Sequence, residues 1–190
     1  MANVDQPNGF TPVRHMTGGT IRMSEYPIVK EEATAIHTGD AVIMHTTGKV
    51  QVSGANPVNL LGVFAGCQYT NTAGQVIFSK YWPAAQATLG DADAVAFVYD
   101  DPMIVYAVQH DGAGALKDNN GTFDITNTAG VDRTGRSKQE LSTSSLAADA
   151  PVKQIGLVKR PENAWGTWAE VEVMFEDHVW HGTAGTADAT

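Results

Sequence analysis

Cysteine is nearly absent from the 190-residue chain: Cys67 stands alone, so no disulfide can form within it. Stability has to come from packing or from assembly. Because Cys67 follows the apolar stretch Leu60 to Ala65, it reads as a buried small hydrophobe and not as a reactive thiol. Positive charge is scarce too. The 12 Lys and Arg are outnumbered by 21 Asp and Glu, for a formal net charge of −9. Non-specific nucleic-acid binding needs clustered cations to displace counterions, and this balance argues against it. No apolar run approaches the roughly 20 residues that a membrane helix requires. The first nine residues, Met1 to Gly9, lack the basic and apolar regions of a secretory signal. They imply synthesis in a cytoplasm without a membrane anchor. Also missing are a G-x-S-x-G elbow, a G-x-x-x-x-G-K-[ST] phosphate loop and a G-x-G-x-x-G fingerprint.

What is present is strand. Ala94 to Tyr99 and Met103 to Val108 are apolar runs split by Asp100, Asp101 and Pro102. Runs of this length, rich in β-branched and aromatic residues and bounded by turn formers, predict buried strands, here a central hairpin. Two further hairpins precede it. Val42-Ile43-Met44 and Val50-Gln51-Val52 flank Thr46-Thr47-Gly48-Lys49, and Leu60 to Gly66 and Val76 to Trp82 flank Thr70 to Gly74. Pro83 ends the last of these strands. Six strands in sequence at this spacing predict an all-β fold, a single β-barrel or β-sandwich domain built from sequential hairpins.

Asp111 to Gly135 is rich in Gly, Asn, Asp and Thr and reads as a surface excursion in which only Phe123-Asp124-Ile125 is strand-like. Ser137-Lys138-Gln139-Glu140 matches a capping box and predicts one short helix over 138–149, closed before Pro151. Ile155 to Val158 resumes the sheet. Ala169 to Glu176 nearly alternates, which points Val171, Val173 and Phe175 inward. Residues 1–20 carry Phe10, Val13 and Met16 as isolated apolar points and read as an extended N-terminal arm. Residues 21–181 form the β domain. The tail at 182–190, made only of Gly, Ala, Thr and Asp, has almost nothing to bury.

The candidate sites have plainer readings beside them. His178 and His181 would share a helical face, but their flanks read as strand or tail, and no second ligand pair has zinc-like spacing. Asp100-Asp101 and Asp111 are carboxylates in range of acid and base chemistry, yet each sits where a turn favours Asp. Neither catalytic residues nor a metal or cofactor site are therefore expected. Trp82, Trp165, Trp168 and Trp180 suit either a stacking platform for sugar or bases, or a core and protein interface.

Several short segments together resemble the head decoration, or capsid cement, proteins of tailed bacteriophages. They are the opening Met1-Ala2-Asn3 with Pro7 and Gly9 to His15, then Gly39-Asp40-Ala41-Val42 and Leu61 to Gly66. Lys80-Tyr81-Trp82-Pro83, Tyr99-Asp100-Asp101-Pro102 and Asn163-Ala164-Trp165-Gly166 follow in order. Lys30-Glu31-Glu32 and the tail fall outside the likeness. The resemblance implies a non-enzymatic virion protein, made in the host bacterial cytoplasm and placed on the outer capsid surface, where it clamps adjacent major capsid protein subunits. It also implies a homo-oligomer, often a trimer, with dimers known. On that reading Phe10, Val13 and Met16 of the arm make capsid or neighbour contacts, while Trp165, Trp168 and Trp180 serve the core or subunit interface. The rival expectations are a receptor- or carbohydrate-binding module of a phage tail or fibre, with tryptophans side by side, and a small cupin-like metalloenzyme.

Overall fold

The computed structural model describes residues 3–28, 33–55, 57–89, 94–146 and 150–181, so the tail expected at 182–190 lies outside the described residues. Strands run in chain order as β1 (Thr11–His15), β2 (Ser24–Pro27), β3 (Ile36–His37), β4 (Ala41–Met44), β5 (Val50–Val52), β6 (Leu60–Thr70), β7 (Val76–Ser79) and β8 (Tyr81–Trp82). The second half adds β9 (Val95–Tyr99), β10 (Ile104–Gln109), β11 (Ala113–Gly114), β12 (Thr122–Thr126), β13 (Glu140–Leu146), β14 (Val152–Leu157), β15 (Gly166–Thr167) and β16 (Glu170–Phe175). One 3-10 turn, Leu116–Asp118, is the only helical element among the described residues. The chain is all-β.

One sheet runs β1-β10-β16-β14-β12-β13, every neighbour antiparallel. It curls far enough for β13 to return to β10: the Asp111 N–H donates to the Leu141 carbonyl at 3.0 Å, and His110 and Leu141 form a bridge. The curl encloses a core of Ile104, Tyr106 and Val108, Phe123 and Ile125, Leu141, Val152, Val171, Val173 and Phe175. The alternation read along β16 is realised, with Val171, Val173 and Phe175 buried between half-buried neighbours.

The other six-stranded sheet runs β2-β9-β6-β4-β5, with β7 paired to the far half of β6. Its core gathers Ile28, Ile36, Val42, Val50, Leu61, Phe64, Ala96, Val98 and Trp82. β6 belongs to both cores, because Leu60 and Val63 face the first and Leu61, Phe64 and Cys67 the second. A strand with two buried faces must be apolar without alternation, which is what Leu60 to Cys67 supplies. Gly62 is required within it: φ is +155°, and a Cβ there would collide with the Tyr99 carbonyl oxygen of β9. Burial also pushes the Cys67 thiol up to about 12, so it stays protonated as a packing group.

Three expectations need correction. The first early hairpin forms as read, with Val42 opposite Val52. The second forms around the expected turn but from residues 67–70 and Val76–Ser79, while Leu60 to Gly66 pairs with β4 and β9 and Tyr81–Trp82 with β3. The third does not: β9 pairs with β6 and β2, whereas β10 pairs with β1 and β16, so the Asp100-Asp101-Pro102 turn carries the chain from one sheet to the other.

The helix expected over 138–149 is instead strand β13, with residues 147–149 outside the description. The Ser137 hydroxyl does accept a backbone N–H, but from Gln139, two residues on, at 3.0 Å. That local turn delivers the fully buried Gln139 side chain to the Ala41 N–H, which donates to its Oε1 at 2.7 Å, while its Nε2 donates to Asn127 Oδ1 at 3.0 Å. Pairing with β12 and these buried bonds outweigh a weak helix signal. Gln139→Leu keeps the volume but orphans the Ala41 N–H, and should cost about 2 kcal/mol in urea unfolding.

The loose arm is the third correction. Residues 11–15 are β1, an edge strand of the first sheet, and Phe10 is 1% exposed inside the first core. Upstream, Asn3 donates to the Ala164 and Thr167 carbonyls at 2.8 and 3.0 Å, and Gln109 donates to the Val4 carbonyl at 2.8 Å. From Asn3 onward the segment is fastened to its own domain.

Candidate functional site

The six residues singled out as interface candidates do not converge. Phe10 is in the core and is withdrawn as a contact residue. Trp165 is half-buried against the first core, and Trp168 is half-buried beside Asn3 and Gln109. The Trp168 N–H donates to the Gly112 carbonyl at 2.8 Å and its carbonyl accepts from Gln109 at 3.1 Å. Both residues tie the 163–170 segment to the domain. Trp82 is fully buried, which leaves Trp180, at 62%, as the single exposed tryptophan. With Trp82 in the core, the four rings do not all share one open platform.

Val13 and Met16 are exposed, and the elements around them make a surface. Val13 sits in a bulge where the β1 to β10 register shifts between Pro12 and Arg14. The Met16 N–H donates to the Met103 carbonyl at 2.8 Å, which sets the exposed Met103 beside it. Arg14 reaches Met16 Sδ with one guanidinium nitrogen at 3.5 Å and Glu172 with another at 2.7 Å. Met23, also exposed, immediately precedes β2, whose Ser24 lies opposite Val98 near the same chain crossing. Pro12 and the bulge blunt β1 as a template for adding a strand, so this end offers side chains and not backbone. Exposed methionines are adaptable apolar groups, suited to a protein partner.

The carboxylates considered for catalysis are all engaged locally. Asp101 accepts the Met103 N–H at 2.8 Å and faces His15 Nε2 at 3.0 Å, and the Tyr26 hydroxyl donates to Asp100 at 2.7 Å. Asp111 accepts from the Thr126 hydroxyl, the Thr143 hydroxyl and the Thr143 N–H, and the sum of these bonds holds it below the usual carboxylate range despite burial. His178 is 1% exposed, and burial pushes it down to about 4; its Nδ1 accepts the Trp180 N–H at 3.2 Å. The His178 and His181 rings stand 6.1 Å apart. Among the described residues no group of three or more His, Cys, Asp and Glu is arranged to hold a metal ion.

One cluster has no signature in the sequence. Buried His37 lies between Asp40, at 3.6 Å, and Asp132, at 2.8 Å, and stacks on Tyr81 at 5.6 Å. The Asp40 carboxylate, with that of Asp132 on the other side, raises the His37 pKa against the opposing effect of burial. It fastens the 127–136 loop to β3 beside an open depression of about 640 Å³ that Val52, Asn127 and Val131 also line. His37 and Asp132 are 95 residues apart, so nothing local in the chain announces the pair.

No family model, no curated protein and no solved structure matches the chain.

Proposed function

We propose that this chain is a structural virion protein that binds the outer surface of a tailed-phage capsid and stabilises it by clamping adjacent major capsid protein subunits. The observation that carries the reading is the set of exposed apolar side chains on and beside β1, Val13 and Met16, with Met103 hydrogen-bonded alongside through its backbone, on an all-β domain. The ordered series of segments resembling cement proteins gives that surface its partner. The reading assigns no catalysis and no cofactor. Among the described residues no helix is long and apolar enough to cross a membrane.

A protein that binds the assembled shell but not free subunits stabilises the shell by RT ln(1 + [L]/Kd) for each site filled. A homo-oligomer touching several subunits raises the effective concentration of every further contact, so modest single contacts suffice. Phe10 supports the surface from within, and Val13, Met16 and Trp180 are the side chains free to touch a neighbour.

Co-sedimentation with undecorated shells of the source virus tests this. The native protein should pellet with shells and raise their melting temperature. Met16→Glu combined with Val13→Glu should lower occupancy by about tenfold or more, with an unchanged circular dichroism spectrum, as loss of an apolar anchor does. Failure of the native protein to pellet would overturn the function. Full occupancy by the double variant would overturn this surface.

A further inference from the structure

The charges of this protein are segregated. From Val50 to Gly90 there is one charged side chain, Lys80, so all 21 acidic residues behind the net charge of −9 lie elsewhere. That stretch contains the hairpin of β6 and β7, and β7 lies at a sheet edge. Among the described residues no strand pairs with its other side. Its register with β6 runs without a shift from Thr70 opposite Val76 to Cys67 opposite Ser79.

The devices that blunt β1 are absent here. Gln75 to Ser79 contains no proline, no charge and no bulge, and it is β-branched and aromatic. Alternation along β7 turns Ile77 toward Tyr69 and leaves Val76 and Phe78 on the opposite face, where Phe78 is 71% exposed and Val76 55%. Phe78 lies opposite Gln68, which lies opposite Val95, which lies opposite Pro27, so an uncharged, half-buried row continues from it across the sheet.

We propose that β7 is a self-association edge, pairing antiparallel with β7 of a second copy about a two-fold axis at Ile77. In that register Phe78 of each copy stands beside the partner's Val76, an aromatic to β-branched pair of the kind that stabilises sheets. The contact is isologous, the same residues on both sides. Charge selects a second copy as the occupant. Two molecules that each carry −9 repel over most of their surfaces, and this edge is where they can meet without bringing carboxylates together.

A four-residue strand with two exposed side chains buries less than the roughly 1,200 Å² typical of stable complexes. The pair is therefore weak, with dissociation in the range of tens of micromolar or above. Screening the like charges strengthens it, so added salt favours the dimer.

This inference extends the homo-oligomer part of the proposed function, and the two fail separately. Sedimentation velocity on the full chain, from about 10 to about 300 μM, should show monomer passing into dimer, and more so in about 0.5 M salt than in about 0.05 M. Phe78→Asp should weaken the dimer by about 30-fold or more, while Phe78→Tyr retains it. Because Phe78 is exposed, the thermal midpoint of Phe78→Asp should match the native one. Concentration-dependent hydrogen-exchange protection at Ile77 would support strand pairing specifically. A protein that stays monomeric at the highest concentration, a smallest assembly that is a trimer, or a Phe78→Asp variant that dimerises like the native chain would each overturn the proposal. A Phe78→Asp protein that still decorates shells would leave the capsid reading standing.

Discussion

Replacing Phe10 by alanine will lower the unfolding free energy of the domain by about 3–5 kcal/mol, the range for removing a fully buried aromatic ring. Phe10 packs edge-on against Phe175 at 5.4 Å and Tyr106 at 6.4 Å, and those two rings stack on each other at 5.1 Å. Its N–H donates to the Gly39 carbonyl at 2.8 Å, so backbone and side chain are both anchored. The space left by the ring is walled by β10 and β16 in the middle of a sheet, and cannot collapse cheaply. By contrast, Val13→Ala and Met16→Ala, at exposed positions, should each change stability by about 0.5 kcal/mol or less. Urea midpoints at constant m-value separate the two cases. Deleting residues 2–18 removes Phe10 and unpairs β10 along Ile104 to Ala107, so it should yield an unfolded or aggregating chain. A stable truncated domain, or a Phe10→Ala loss below about 1 kcal/mol, would show that the segment is an appendage after all.

Acidification from pH 7 to about 4 will cost the native protein about 3 kcal/mol more than it costs a His178→Asn variant. His178 has a folded-state pKa of about 4, against 6.5 for an ordinary histidine, because burial disfavours its charge and His181 adds repulsion. Well above pH 6.5 it is neutral in both states and contributes almost nothing to the dependence. Below that, the unfolded chain takes up a proton that the folded site refuses, and stability falls until the folded site also titrates near 4. His110, buried beside Phe123 and bonded to Gln154 at 2.8 Å, is lowered by burial and acts in the same direction. Glu140 acts oppositely, raised to about 7 by burial with Asp5 and Asp111 nearby, and so does His37, raised by its aspartates. The comparison therefore belongs between native and variant, where those contributions cancel. Parallel stability curves for the two proteins across this range would sink the assignment.

The elements legible in the sequence were those specified over a few residues. Thr46-Thr47-Gly48-Lys49 and Asn71 to Gly74 sit between short apolar runs, and both fold as the hairpins that this pattern encodes. Asp100-Asp101-Pro102 reverses the chain just as clearly, but a turn signal does not say whether its flanks pair or diverge into separate sheets. Ser137 to Glu140 carries the residue types of a helix start, yet its outcome is decided by Asn127 and Ala41, which lie far away in the chain. Isolated apolar residues such as Phe10 and Val13 look alike in sequence, and only the positive φ of Gly9 and the Gly39 contact steer one inward. The candidate surface was half legible for the same reason. Val13 and Met16 are exposed as an interface requires, while Met103 joins them through its carbonyl, which accepts the Met16 N–H.

The double allegiance of β6 has a consequence for how this protein melts. Leu60 and Val63 cannot leave the first core without Leu61 and Phe64 leaving the second, since all four belong to one strand. The chain crossing from β9 to β10 adds a second covalent strut between the same two regions. Neither half is thus a separate foldon, and heat should take both apart in a single calorimetric transition.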